Sequence, residues 1–220
     1  MKRGWLAAGV IALGLGLGGW WYRPGEARLD AEAMAAAETR MWQAYYEGEG
    51  VRLGAELIGV LRSQFGLSRA RAWGVGRRFA AAALIFRDTR EDYESQVLPL
   101  LTDAYRRLDA AVDRPIRAEA AARAELAWWV ARREPGRNHP EQVGLSLAAL
   151  YAALYGGAEE DYLAAGLLRA WAAAYRDREA GRTDWEEVER QLHESYRELL
   201  EVIGEGGSRP RPSEPARRWQ

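Results

Sequence analysis

Stretches of helix length, separated by proline and glycine, fill the chain from residue 25 to residue 204. Within them apolar residues recur every three or four positions, as Leu53, Leu57 and Leu61 do. That spacing is the period of an amphipathic α-helix with one buried face. No stretch shows the sustained alternation of β-branched residues that is typical of a strand. The sequence therefore predicts an all-α fold with about seven or eight helices in a globular domain.

Capping residues and helix breakers set the predicted boundaries. Pro99 breaks or kinks one helix, and Pro115 stands where the first residue of the next is expected. Thr183 and Glu186 have the spacing of a capping box. The predicted helices are Leu29–Glu47, Val51–Phe65, a helix capped by Ser68 that runs through Phe86, Arg90–Val112, Pro115–Arg133, Pro140–Tyr155, Glu159–Glu179 and Asp184–Ile203.

An uncharged apolar run, Gly4 to Tyr22, precedes the helical domain. As a helix its nineteen residues span roughly 28 Å, close to the ~30 Å hydrocarbon core of a bilayer. Trp5 stands at one end of the run, and Trp20 and Trp21 stand at the other, where amphipathic rings favour the headgroup layers. The run predicts a single transmembrane helix over residues 1–24.

Basic residues near this run indicate its orientation. Lys2 and Arg3 favour a cytoplasmic amino terminus, although Arg23 and Arg28 follow on the other side. We therefore expect the bacterial cytoplasmic membrane, with the helical domain outside the cytoplasm. A cleaved signal peptide is the alternative, with its small-residue site at Gly25-Glu26-Ala27.

The rest of the chain divides into two predicted regions. Residues 25–204 form the helical domain, and residues 205–220 are rich in proline and arginine and are predicted to be disordered. The chain has no cysteine, which excludes disulfides and thiolate chemistry.

Charge and glycine spacing bear on the partners. The formal charge of the chain is −1, and setting aside Lys2 and Arg3 leaves −3 for residues 23–220. That balance gives no basic field for nucleic acid. Gly14 and Gly18 form a GxxxG pair, through which two membrane helices can touch. The predicted partners are the membrane and either a membrane protein or a second copy of the chain.

Two groups of side chains are candidate ligand-binding residues, and each group shares one helical face. Each group also contains a carboxylate. A buried carboxylate must find a hydrogen-bond donor or a cation, or take up a proton. The candidates are Glu38, Trp42, Tyr45, Glu125, Trp128, Trp129 and Arg132.

Two interpretations of the carboxylates stay open. In one, Glu38 and Glu125 converge on a cleft or bind an ion together. In the other, each pairs with an arginine or with a tyrosine hydroxyl and fixes how the helices register. Arg78 and Arg132 are the arginines considered for that pairing.

Motifs of known chemistry do not support a catalytic role. A di-iron helical bundle normally has two Glu-x-x-His pairs, whereas the chain has only His139 and His193, and Arg190 stands three residues before His193. No Gly-x-Ser-x-Gly elbow and no Gly-x-x-x-x-Gly-Lys phosphate loop occurs. We therefore predict no metal, cofactor or catalytic residue, and whether the protein is an enzyme stays open.

Four segments resemble a pattern found in uncharacterised bacterial proteins that are membrane-anchored and helical. They are Met41–Tyr46 (MWQAYY), Glu125–Arg133 (ELAWWVARR), Pro140–Gly144 (PEQVG) and Leu150–Gly156 (LYAALYG). The resemblance implies a shared helical fold. It implies no activity and no catalytic residue.

These observations give two functional hypotheses. The first is a single-pass membrane protein whose helical domain binds a partner or has a structural role beside the bilayer. The alternative is an enzyme or a small-ligand carrier with a pocket around Trp42, Tyr45, Glu125 and Trp128.

Overall fold

Residues 30–206 are described by the structure, a computed structural model, and within them the chain is all-α. This part of the chain has eight helices of twelve residues or more and one single-turn helix, α4. A 3₁₀ turn at Glu159–Tyr162 precedes α8. The helices are α1 (Ala31–Glu47), α2 (Gly50–Ser63), α3 (Arg69–Asp88), α4 (Tyr93–Gln96), α5 (Leu98–Asp109), α6 (Ala118–Arg133), α7 (Pro140–Tyr155), α8 (Leu163–Arg178) and α9 (Trp185–Gly206).

The predicted anchor at residues 1–24 lies outside the described residues, and so does the predicted tail from residue 207 onward. Between residues 30 and 206, no helix combines the length and the apolar character that crossing a bilayer requires.

Several predicted helix starts are wrong. The helix expected from Arg90 begins only at Tyr93, because Asp92 before it has a left-handed backbone conformation that a helix does not contain. The helix expected at Pro115 begins at Ala118, because the Ile116 N–H donates to Asp109 Oδ1 and the Arg117 N–H donates to Ala153 O. These bonds hold the preceding residues as a loop. The expected capping box at Thr183 is also absent, since Asp184 Oδ1 accepts the first free N–H groups of α9 instead.

The helices form a closed ring within the described residues. Each long helix packs against the next long helix along the chain, with α5 following α3, and α9 packs against both α8 and α1. Short connections make consecutive helices antiparallel. The ring therefore runs α1, α2, α3, α5, α6, α7, α8, α9 and returns to α1.

The ring has two distinct ends. We call the end where α1 begins and α9 ends the base; there the Asp30 N–H donates to Gln64 Oε1 over 2.9 Å. We call the opposite end, where α1 ends, the rim. Contacts at the rim join α3, α6 and α8, as where Arg133 Nη1 donates to Phe86 O over 2.7 Å.

Small residues bring the helices close together. An added Cβ at Gly166 on α8 would lie 2.5 Å from Gly144 O and 3.1 Å from Ala148 N, both on α7. Only glycine fits such an approach, because real side chains do not come that close to backbone atoms. The close crossing places α8 where its Arg169 reaches towards α1 and α6.

Candidate functional site

A cavity of about 370 Å³ lies inside the rim half of the ring. Its walls come from α1, α2, α3, α6 and α8. All seven residues predicted from the sequence line it. The lining residues are Glu38, Met41, Trp42, Tyr45, Tyr46, Leu53, Leu57, Phe79, Ala83, Phe86, Glu125, Trp128, Trp129, Arg132, Arg133, Arg169 and Asp177.

Helical spacing explains why these residues meet. On α1, Glu38, Trp42 and Tyr45 follow each other at intervals of four and three, so they share one face. On α6, Glu125 and Trp129 have the same relation. The ring turns these two faces towards the same space, which brings both predicted groups into one site.

Glu38 lies at the inner end of the cavity and is only 1% exposed. Both of its carboxylate oxygens accept hydrogen bonds. Arg169 donates to its Oε1 from Nε over 2.8 Å and from Nη2 over 2.5 Å. The Tyr196 hydroxyl donates to its Oε2. Burial and the neighbouring carboxylate hold the pKa of Tyr196 well above its usual value of 10.0, so the hydroxyl stays a neutral donor.

Glu125 is bonded differently. The Tyr105 hydroxyl donates to its Oε2 over 2.8 Å, and no arginine within the described residues forms an ion pair with it. Burial raises the pKa of Glu125 above its usual value of 4.5, and the positive charge of Arg169 opposes that rise. Glu125 is therefore a weaker acid than an ordinary surface glutamate.

Arg132 joins three helices at the rim. Its Nη2 donates to Asp177 Oδ1 over 2.8 Å and to the Tyr46 hydroxyl over 2.7 Å. Its Cζ lies 5.3 Å from the ring centroid of Trp42 and 5.8 Å from that of Trp128. The guanidinium is thus neutralised by a carboxylate and packed against aromatic rings.

Arg133 has no carboxylate partner among the described residues. Its Nη1 donates to Phe86 O, to Thr89 O and to the Tyr93 hydroxyl. Its Cζ lies 3.7 Å from the centroid of the Phe86 ring. The structure holds this cation in place through carbonyl groups and an aromatic face, and leaves its charge unpaired.

The remaining wall is apolar. The Phe86 and Trp129 rings contact each other, with their centroids 5.3 Å apart. Leu53 and Leu57 enter from α2, and Phe79 and Ala83 enter from α3. The cavity thus combines apolar walls with a few fixed polar groups, as ligand-binding sites usually do.

The structure shows where the two carboxylates lie, and binding of an ion or ligand by them stays a prediction. Glu38 and Glu125 do line one cavity, and each also has a hydrogen-bond partner. The prediction that Arg78 or Arg132 pairs with one of these glutamates is wrong. Arg78 pairs with Asp103, and Arg132 pairs with Asp177.

Sequence reasoning missed Arg169, Arg133, Tyr105 and Tyr196. Arg169 and Tyr196 are 131 and 158 residues from Glu38 along the chain, so no local spacing connects them to it. Arg133 follows Arg132 directly, and a face drawn at helical spacing from Glu125 includes Arg132 first.

The described part of the chain offers few reactive groups. His139 lies directly before α7 and contacts Glu141, outside the cavity. Within residues 30–206, no group of three or more histidine, aspartate or glutamate side chains is arranged to hold a metal ion. The cavity instead offers binding groups: three arginines, three carboxylates and seven aromatic side chains.

Comparison with protein-family models, with curated proteins and with solved structures gives no significant match to this chain. The resemblance to uncharacterised bacterial proteins therefore stays a prediction.

Proposed function

We propose that the chain is a small-ligand binding protein whose ligand occupies the cavity at the rim. One observation carries the proposal: seven residues chosen from sequence spacing alone surround a single cavity of about 370 Å³. Cavities of roughly 300–1,000 Å³ with apolar walls and a few oriented polar groups are typical of small-molecule sites. Binding is proposed ahead of catalysis because the fixed groups are ion pairs and aromatic rings rather than a nucleophile with a base.

Titration with an uncharged fluorescent probe tests this function. N-phenyl-1-naphthylamine brightens in apolar surroundings, so we expect saturable fluorescence when it is added to the full chain. Ala83→Phe puts a ring into the cavity from α3 and should abolish the saturable signal. Ala33→Phe, at an exposed position on α1, is the matched control and should bind as wild type does.

A non-saturable signal that is equal in wild type and Ala83→Phe would overturn the function, because the probe would then be binding elsewhere. Circular dichroism of both variants checks that each still folds.

The apolar run supports a second part of the proposal, in which residues 1–24 anchor the chain in the bacterial cytoplasmic membrane. The helical domain then works outside the cytoplasm. Retention in the membrane fraction after carbonate washing, with the domain open to protease added outside spheroplasts, is the expected result. Release of the chain into the soluble fraction would contradict the anchor.

The partner-binding role, with a membrane protein or a second copy, stays a prediction. The anchor supports it, since tethering raises the effective concentration of the domain near neighbours in the bilayer. Chemical crosslinking in intact membranes, followed by size analysis, tests for the second copy.

A further inference from the structure

The charges around the cavity are unevenly distributed. Six charged side chains line it, and four of them form two ion pairs, Glu38 with Arg169 and Asp177 with Arg132. The two that are left have opposite signs, Glu125 and Arg133. Neither forms an ion pair with another described residue.

These two groups lie at opposite ends of the cavity. Glu125 and Arg133 are eight residues apart on α6, which corresponds to roughly 12 Å along the helix axis. Glu125 lies at the level of the buried Glu38, whose side chain is 2% exposed. Arg133 lies at the rim with Asp177, whose side chain is 41% exposed. The inner end therefore carries excess negative charge, and the outer end carries excess positive charge.

We propose that the ligand of this cavity is dipolar, with a basic nitrogen bound at Glu125, an anionic group such as a carboxylate bound at Arg133, and a hydrocarbon body between them. The inference rests on the proposed function, since it names the class of ligand for that same site.

Glu125 is suited to a basic nitrogen. Its Oε2 accepts the Tyr105 hydroxyl, and the indole N–H of Trp128, which has no other partner in the described residues, is a second donor beside the carboxylate. Both donors are neutral, so the negative charge is left for a ligand cation. Trp128 and Trp129 follow it on the same face of α6 and line the same cavity. A carboxylate beside aromatic rings is an environment that favours an organic cation.

Arg133 is suited to an anion. Its three hydrogen bonds to neighbouring groups all leave from Nη1, and a guanidinium has five N–H donors. The Phe86 ring and two carbonyls hold it in place, so little side-chain entropy is lost when an anion binds. Lining residue Tyr45 adds a hydroxyl close to the same guanidinium.

A ligand with one charge satisfies only one end. An amine alone leaves Arg133 without an anion, and a carboxylate alone leaves Glu125 without a cation. Hydrogen bonds to charged groups contribute more than those between neutral groups. A ligand that supplies both therefore binds more tightly than either half of it.

Three matched probes test this inference on the full chain at pH 7. They are 8-aminooctanoic acid, octanoate and octylamine, and each is titrated to displace N-phenyl-1-naphthylamine. The seven-methylene chain of the first probe separates its charges by a distance comparable with the span between the two residues on α6. We expect it to displace the dye at roughly tenfold lower concentration than either probe with one charge.

Variants assign each end of the ligand. Glu125→Gln should reduce the affinity of 8-aminooctanoic acid to that of octanoate and leave octanoate unchanged. Arg133→Gln should reduce the affinity of 8-aminooctanoic acid to that of octylamine, and the affinity of octylamine should not change. Arg123→Gln, an exposed position on the same helix, is the control and should change none of the three.

The outcomes separate the two proposals. Equal displacement by all three probes would overturn the dipolar ligand while leaving the binding function intact. Absence of saturable dye binding would overturn the binding function itself. If Arg133→Gln fails to fold, Arg133→Lys keeps the charge but not the fork of donors. In that variant, tighter binding of 8-aminooctanoic acid than of octylamine supports an anion held by charge alone, and equal affinity for those two probes supports an anion held by the fork. Wild type that binds 8-aminooctanoic acid no more tightly than octylamine would overturn the anion site.

Discussion

Glu38 and its partners show how a single residue positions the site. The carboxylate on α1 is bonded by Arg169 from α8 and by Tyr196 from α9, so one side chain fixes three helices. Taking two charges out of water is costly, and the pair repays that cost only while both partners are present. Its role is to fix the arrangement of the helices.

Arg169→Met tests this role, because it leaves Glu38 buried without its cation. We expect the free energy of unfolding to fall by about 3–5 kcal/mol, measured by urea denaturation of the full chain at pH 7. Arg190→Met is the matched control: Arg190 makes a similar two-nitrogen contact with Glu187, but at an exposed site, and its loss should have a much smaller effect. If both variants lose the same free energy of unfolding, the buried pair of Glu38 and Arg169 matters no more to stability than an exposed pair does.

We expect Glu125→Gln to change how the stability of the protein depends on pH. Burial raises the pKa of Glu125 in the folded protein above its usual value of 4.5. The folded state then holds the proton more tightly than the unfolded chain, so wild type loses stability as pH rises from 4.5 through the raised pKa. Glutamine does not ionise and has no such loss.

The stability difference, variant minus wild type, should therefore increase with pH across that interval and be flat on either side. Urea unfolding of both proteins at several pH values measures it. A difference that is independent of pH would mean that Glu125 has the same pKa in the folded and unfolded states.

Much of the site could be predicted at this scale, but only within a helix. The intervals between Glu38, Trp42 and Tyr45 identify one face of α1 without any structure. Arg169 could not be identified in this way, because nothing local distinguishes it from the other arginines of an arginine-rich chain. Its role comes from the ring, which brings α8 opposite α1.

At the scale of the element, the crossing of α7 and α8 depends on glycine. Gly166→Ala would put a Cβ against the backbone of Gly144. Backbone atoms cannot move aside as the flexible end of a side chain can. We expect a loss of about 1–3 kcal/mol in the free energy of unfolding. Gly59→Ala, in the exposed middle of α2 with no atom within 4 Å of the added Cβ, should instead be stabilising by roughly 0.5–1 kcal/mol.

Urea denaturation of the two variants gives both values. A stabilised Gly166→Ala would mean that α7 and α8 are farther apart than the structure has them.

Helix existence was predictable, and some boundaries were not. The predicted cap at Ser68 occurs at the start of α3. The helix predicted from Leu29 begins at Ala31 instead, because the Asp30 side chain accepts the Ala33 N–H and caps it. The start of α6 was not predictable from Pro115, because the loop before it is held by Ala153, on a helix that comes later in the chain. Local rules fail where a distant residue takes the hydrogen bond.

For the whole molecule, α9 closes the ring. Its buried residues Val188, Leu192 and Leu199 face neighbours on α1 and α8. A chain that stops at residue 184 would expose those faces, at a cost of about 1.5–3 kcal/mol for each large apolar side chain that loses its burial. We expect this truncation to abolish cooperative thermal unfolding.

A chain that stops at residue 206 is the control. It keeps α9 and removes the proline- and arginine-rich segment that the sequence predicts to be disordered, so its melting temperature should match that of the full chain. Cooperative melting of the shorter truncation would show that the other helices hold together without closure.

Closure has a topological consequence. Counting from the contact between Glu38 and Tyr196, residue 30 is eight positions towards the base on α1 and residue 204 is eight positions towards it on α9. The two termini of the domain are thus level on adjacent helices, and domains of that kind tolerate circular permutation. A chain joined from residue 204 to residue 30 and cut open at residues 134–139 would keep every helix beside its present neighbours. The order of the helices along the chain is therefore only one of several that give this packing.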